Sequence, residues 1–199
     1  LLYGGMATLG FGMLGVLAAQ DMGRMAGFAV LVSSGTLLAA FGVDRPEVTA
    51  GALLYLVTSV LALAAFYLLV ELIERDRAFG ADMLAVTREA FGDTASDENE
   101  EEIGPLVPGM VALLGIGFLA SALLIAGLPP LSGFIAKFAM LRGLLGDGGS
   151  GGTIAGTDWV LASLLILSGL MTLVAMCGAG IRSLWSPENR EAPRVSWLE

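Results

Sequence analysis

The chain has 199 residues, 56% of them hydrophobic and 15% charged, with a net charge of −9 and a mean hydropathy of +0.81. A soluble protein carries roughly 25% charged residues, so this composition excludes an ordinary soluble domain. It also excludes disorder, which needs low hydrophobicity and high charge.

A membrane-crossing helix needs about 20 mostly apolar residues. Five segments supply them, and the expected fold is an all-α, polytopic bundle of transmembrane helices. The first segment, 1–20, is rich in Gly and Met. It has no charged region ahead of an apolar core and no cleavage pattern, so it does not read as a signal peptide. Because Leu1 already belongs to an apolar run, the chain reads as an internal piece of a longer membrane protein. Asp21 suits the N-cap of the second segment, 22–42. Asp44, Arg45 and Pro46 predict a tight turn before the third, 48–73. Residues 74–105 then read as a charged loop, and ten of the nineteen acidic residues fall between Glu74 and Glu102. Within it, 81–91 predicts a short amphipathic helix and Asp97 to Glu102 a solvated acidic run. The fourth segment is 106–145. A Gly/Ser/Thr linker, flexible by composition, covers 146–157. The fifth segment, 158–184, is bracketed by Trp159 and Trp185, as interfacial aromatics are, and a polar tail occupies 185–199. Gly4, Gly5, Gly10, Gly12, Gly15, Gly115 and Gly117 read as close-packing surfaces.

With alternating passes, Arg24, Arg75, Arg77, Arg88, Arg182, Arg190 and Arg194 fall on one side, and Arg45 and Arg142 on the other. The positive-inside rule then makes the 74–105 loop and the tail cytoplasmic. Histidine is absent and Cys177 is the single cysteine. This removes zinc, histidine-ligated haem, an iron–sulfur cluster, a Ser-His-Asp triad and any internal disulfide. No glycine-rich nucleotide fingerprint follows a strand. No cofactor, bound metal or nucleic-acid partner is expected.

The chemistry concentrates in the fourth segment. Forty residues would make a helix of about 60 Å across hydrocarbon about 30 Å thick. The segment therefore crosses twice, or crosses once as a broken helix with overhanging ends. Gly127, Pro129, Pro130 and Gly133 cluster within it. Neither proline donates an N–H, so the carbonyls of Ile125 and Ala126 lose their helical partners. Freed backbone is tolerated at membrane depth only when buried in protein or lining a wet cavity, and broken helices of this kind build ion sites. Lys137, the only lysine of the chain, lies about 10 Å past Pro130. Its neighbours on the same helix face, Gly133, Phe134, Met140 and Leu141, offer an ammonium no partner. Desolvation favours the neutral form of an amine, so a lysine here can take up and release a proton, and intramembrane charges are usually functional. Plainer readings stand beside this one: a lysine two turns from a helix end can snorkel, and paired prolines can form a simple kink or a hairpin tip. Thr58, Ser59, Ser121 and Ser132 are candidates to hold relay water, although hydroxyls in membrane helices commonly bond their own backbone. Glu71 is a pathway candidate or an interfacial carboxylate, and Arg142 reads as an interface anchor.

The string LPPLSGFIAKF, at 128–138, resembles the antiporter-like membrane subunits: the large subunits of Mrp-type monovalent cation/proton antiporters and the related proton-pumping subunits of respiratory complex I. In that family a discontinuous helix, the twelfth of fourteen, carries Lys or Glu shortly after the break, and Lys137 falls on that position. Asp21-Met22-Gly23-Arg24 resembles the opening of the tenth helix. Leu53 to Arg75 resembles the eleventh helix with its exit, here Ile73-Glu74-Arg75. Gly23 stands where the family often has Lys, and Thr58 where complex I relatives often have His. Both departures, with the run from Val30 to Thr36, are similar to the D-type large subunit of the Mrp antiporters.

The resemblance implies five helices, ninth to thirteenth, of a bacterial inner-membrane subunit, the rest lying outside the chain. It implies a proton relay through Lys137, supported by Pro129, Pro130, Ser132, Gly133, Thr58, Ser59 and Glu71. The implied partners are protons, monovalent cations (Na⁺ in the first instance), the lipid bilayer and the other subunits of the complex. The chain is then part of a secondary transporter and not an enzyme. The alternative is a proton-pumping membrane subunit of an NADH–quinone oxidoreductase or a related hydrogenase complex. A structural scaffold, the third reading, predicts Lys137 facing lipid.

Overall fold

The computed structural model describes residues 1–91, 108–146 and 154–182, with 76–91 and 108–111 as backbone alone. The acidic run Asp97 to Glu102, the middle of the 146–157 linker, the tail from 185 on, and with it Trp185, Arg190 and Arg194, lie outside the described residues. The described residues contain helices and no strands: α1 (Leu2–Ala18), α2 (Met22–Gly42), α3 (Pro46–Phe91), α4 (Pro108–Ala126), α5 (Ser132–Leu145) and α6 (Gly156–Gly180). Three stretches are long and apolar enough to cross a membrane, Met22–Gly42, Pro46–Arg75 and Gly156–Gly180, while Leu2–Ala18 and Ala112–Ala126 are shorter apolar helices.

Local chemistry explains most boundaries. Asp21 caps α2, its carboxylate accepting the Arg24 N–H at 3.2 Å, which satisfies one of the donors every helix start leaves open. Asp44 takes a positive φ of 57° between α2 and α3. Pro46 then opens α3 at the position where its missing N–H is harmless, and Glu47 in the first turn complements the helix dipole. The end of α3 differs from the sequence expectation, in which the helix stops at Ile73 and a loop starts at Glu74. The backbone instead stays helical through Phe91. Residues 74–91 contain no proline, and the lone Gly80 costs only about 1 kcal/mol in a helix interior, too little to end it.

Packing relies on small residues, as expected where lipid removes any hydrophobic drive between helices. α1 lies chiefly along α2. A Cβ at Gly35 would sit 2.5 Å from the Leu9 backbone N, and one at Gly12 would sit 2.8 Å from that of Val32. α3 and α5 meet in the same way, a Cβ at Gly51 falling 2.7 Å from the Met140 N and one at Gly143 falling 2.9 Å from the Val48 N. Two apolar clusters result. Leu9, Met13, Met25, Phe66, Val70, Phe118 and Met176 form one. Val48, Tyr55, Ala136, Met140, Leu144, Leu161 and Leu165 form the other.

The two ends of the bundle differ in charge chemistry. At one end Asp21, Glu74 and Arg182 line a cavity of about 160 Å³. At the other, Arg45 Nη2 donates to Asp158 Oδ2 at 2.8 Å while its Nη1 donates to the Leu144 carbonyl at 3.1 Å. One guanidinium thus ties the α2–α3 turn to the end of α5 and the start of α6. The Asp158 side chain is 6% exposed and that of Arg45 28%. A hydrogen bond to a partly buried charged group contributes about 2 kcal/mol. Asp158→Asn is accordingly expected to lower the unfolding temperature of the purified full-length protein by a few degrees, with the exposed neighbour change Glu47→Gln as control. Identical melting of Asp158→Asn and the parent would show that the pair contributes nothing.

Candidate functional site

The site begins where α4 stops. Gly127 takes φ of +75°, the left-handed conformation that favours glycine at a helix C-terminus. Its N–H and that of Leu128 both return to the Leu123 carbonyl, at 3.0 and 3.1 Å. Pro129 and Pro130 follow, joined by a cis peptide. The N–H groups that would close onto Ile125 and Ala126 belong to residues 129 and 130, and prolines have none. The chain then re-enters helix at Ser132, after Leu131 in extended geometry.

α5 places its lysine against this interruption. Gly133, Ala136, Lys137, Met140, Gly143 and Leu144 form the buried face of α5, the spacing of one side of a helix. Phe134, Ile135 and Phe138 point outward. Lys137 is only 6% exposed, and its Nζ donates to the Ala126 carbonyl at 3.0 Å. The ammonium therefore meets one of the two carbonyls that the prolines leave free. Among the described residues no carboxylate pairs with it. A buried, singly hydrogen-bonded cation is a high-energy group. Its inward position is the opposite of what a snorkelling lysine requires.

Three glycines make room for this contact. A Cβ at Gly127 would fall 2.8 Å from Lys137 Cδ, so the lysine stem crosses bare backbone there. A Cβ at Gly133 would collide with the Leu124 carbonyl oxygen, so the first turn of α5 rests directly on the last turn of α4. A Cβ at Gly169, near the middle of α6, would fall 2.6 Å from the Ala126 oxygen and 3.4 Å from Lys137 Nζ.

A second polar region lies beside the first. A cavity of about 10 Å³ opens between Ser33 of α2, Tyr55, Thr58 and Ser59 of α3, and Leu124 and Ile125 of α4, room for about one water molecule. The Tyr55 phenol faces the hydroxyls of Ser33 and Thr36. Thr58 donates to the carbonyls of Leu54 and Tyr55, both at 3.1 Å, and Ser59 to that of Leu56 at 3.2 Å. With their hydrogens committed to their own helix, Thr58 and Ser59 present acceptor lone pairs to anything placed between them and α4.

Of the residues that the sequence points to, Lys137, Gly133 and the two prolines are brought together at the interruption, and Thr58 and Ser59 at the adjoining cavity. Ser132 is exposed at the start of α5, and Pro129 and Pro130 are exposed at the break itself. Ser121 is buried and donates to Gly117. Glu71 is exposed on α3 and belongs to neither group. The structure adds the Ala126 carbonyl as acceptor, Gly169, Tyr55, Ser33 and Thr36, which sequence reasoning misses as site residues. The prolines mark the carbonyl as orphaned, but nothing distinguishes Gly169 among 28 glycines. Ser168 and Thr172 on α6 are also buried, and both donate to their own helix.

Apolar helices packed through glycines, three of them long and apolar enough to cross a membrane, are consistent with a polytopic helical membrane protein. No family model matches the chain. It is 54% identical, over its whole length and 37% of the relative, to the D subunit of a probable K(+)/H(+) antiporter of Rhizobium meliloti. It is 28% identical, over 94% of its length and 32% of the relative, to the D subunit of a Na(+)/H(+) antiporter of Bacillus subtilis. A third relative, the N 2 subunit of an NADH-quinone oxidoreductase of Sorangium cellulosum, is 29% identical over 84% of the chain and 28% of its own length. The chain spans about a third of the length of the curated relatives it matches. Its sequence fits the family of D subunits of K(+)/H(+) and Na(+)/H(+) antiporters, to which the oxidoreductase subunit is related.

Proposed function

We propose that the chain is the part of an antiporter's D subunit that carries protons through Lys137 while the complex exchanges a monovalent cation. The observation that carries this reading is the burial of Lys137 on a freed backbone carbonyl, with no carboxylate partner among the described residues. An ammonium so placed has one hydrogen-bond acceptor and no carboxylate partner among the described residues, and charged groups at membrane depth are usually functional. In the proposed cycle Lys137 takes a proton from one side, holds it against the Ala126 carbonyl, and passes it to water held between Thr58, Ser59 and the end of α4. The change of charge acts electrostatically on titratable groups elsewhere in the complex.

In this reading α4 and α5 are two halves of one discontinuous membrane helix, and α1, α2, α3 up to Arg75, and α6 are the remaining four crossings. Asp21, Glu74 and Arg182 gathering at one end, and Arg45 with Asp158 at the other, agree with the alternation deduced from the arginines. The positive-inside rule makes the first of these ends, with the extension of α3, cytoplasmic in a bacterial inner membrane. Other subunits of the antiporter are the expected partners. The 54% relative is named for potassium, which favours K⁺ over Na⁺ as the cation. The similarity to an oxidoreductase component supports the second reading, a proton-pumping subunit of a redox complex.

The test is cation/proton exchange, with K⁺ and Na⁺ in parallel, by proteoliposomes containing the full-length complex with Lys137 replaced. Normal exchange at equal complex would overturn the proposal. Thr58→Val, which keeps the shape and removes the oxygen, is expected to slow exchange about tenfold, less than the two or more orders typical of losing the proton-transfer group itself. A rate equal to wild type would remove Thr58 from the pathway.

A further inference from the structure

Gly169 belongs to a different helix from the interruption and carries no side chain, yet any side chain there would meet both members of the Lys137–Ala126 pair. The Cβ that any other residue would bring lies 2.6 Å from the Ala126 oxygen and 3.4 Å from Lys137 Nζ. The first distance is impossible for a real contact. The atom in the way is backbone, part of the last turn of α4, and it cannot step aside as the end of a flexible side chain can.

Three backbone positions meet the lysine side chain. The end of α4 supplies Gly127, which lies against the stem, and the Ala126 carbonyl, which accepts from the ammonium, while α6 supplies Gly169, where a Cβ would fall close to Nζ. The bare Cα at 169 is therefore the wall that sets how far the freed carbonyl sits from α6, and so where the ammonium finds it.

We propose that Gly169 is a positioning residue for proton transfer: its missing side chain holds the Ala126 carbonyl in line with Lys137 Nζ. This rests on the relay reading and sharpens it, because it makes the location of the lysine's partner depend on α6. Gly169 lies within the regular helix α6, where alanine is the better helix former. A loss on Gly169→Ala therefore cannot come from helix propensity and must come from the contact.

The experiment compares full-length complexes carrying Gly169→Ala, Lys137→Ala and Gly178→Ala. The last is on the same helix, where a Cβ would meet only the end of the Arg182 side chain, at 3.4 Å. Assembled complex is quantified, and KM for the cation and kcat for exchange are measured in proteoliposomes. The expected result for Gly169→Ala is a reduced amount of assembled complex, because the clash is with backbone, and, in the complex that does assemble, an unchanged KM and a kcat lowered about tenfold, within the range that misplacing a catalytic group produces. Gly178→Ala retains both constants. An unchanged kcat for Gly169→Ala overturns the proposal, and so does failure to assemble, which would make Gly169 a packing residue. If Lys137→Ala exchanges normally, the relay reading itself fails. If Lys137→Ala is dead while Gly169→Ala is normal, only the positioning role is lost.

Discussion

Replacing Lys137 by alanine is expected to reduce cation/proton exchange by at least about 100-fold, the lower range for removing a proton-transfer group. The complex should still assemble. No second lysine is present in the chain to take over, and the ammonium occupies the site that the glycines leave open. Alanine has a side effect, because the Ala126 carbonyl then loses its donor, and an unsatisfied buried group costs about 1–3 kcal/mol. Lys137→Met separates the two contributions, since it fills the space while removing the proton site. Lys137→Arg separates charge from proton exchange, because a guanidinium stays protonated. All three are expected to be inactive, and Lys137→Met should match alanine in rate loss. The measurement is dye-reported proton movement in vesicles, normalised to assembled complex. Exchange by Lys137→Met at even half the wild-type rate would leave no role for the lysine's proton.

The second large effect is expected at Gly133. Its Cα rests on the Leu124 carbonyl, and a Cβ there collides with that oxygen. The collision is against backbone where α4 and α5 meet, so the two helices must part. Overpacking of this kind costs about 3 kcal/mol, enough to shift the equilibrium constant for correct packing more than about a hundredfold. Gly133→Ala is therefore expected to reduce assembled complex severely on native gels, and to abolish exchange by whatever remains. Gly146→Ala, at a position where a Cβ meets nothing within 4 Å, is the matched control. Normal assembly of Gly133→Ala would mean that the close approach of α4 and α5 is not required.

Much of this site is written in residue order. The prolines at 129 and 130 identify two orphaned carbonyls by counting four residues back, and Lys137 stands out as the one lysine, set in an apolar run. Asp21 as a cap follows from its place before the second apolar run. What stays hidden is pairing across the break. From its own helix face Lys137 has no partner, because the partner sits eleven residues earlier, at the end of α4. Helical periodicity cannot relate the two faces once the backbone between them is irregular. The Tyr55, Ser33 and Thr36 hydroxyls are hidden for a similar reason: each reads as an ordinary helix residue until α2 and α3 are packed together. The Arg45–Asp158 pair joins residues 113 apart. The continuation of α3 past Ile73 is obscured by charge, which suggests a loop although glutamate and arginine are good helix formers.

That Arg45–Asp158 tie has a consequence for how the chain tolerates change between α5 and α6. The end of α5 and the start of α6 are both held by one guanidinium, so their separation is fixed by side-chain chemistry and not by the stretch that joins them. For a flexible connection whose ends are pinned, doubling its length costs only about 0.6 kcal/mol. The Arg45 tie therefore joins the two helices independently of the sequence that runs between them. Changes of length in the sequence between α5 and α6 are accordingly expected to leave exchange unaffected while Arg45 and Asp158 are retained, and a loss of exchange on doubling it would show otherwise.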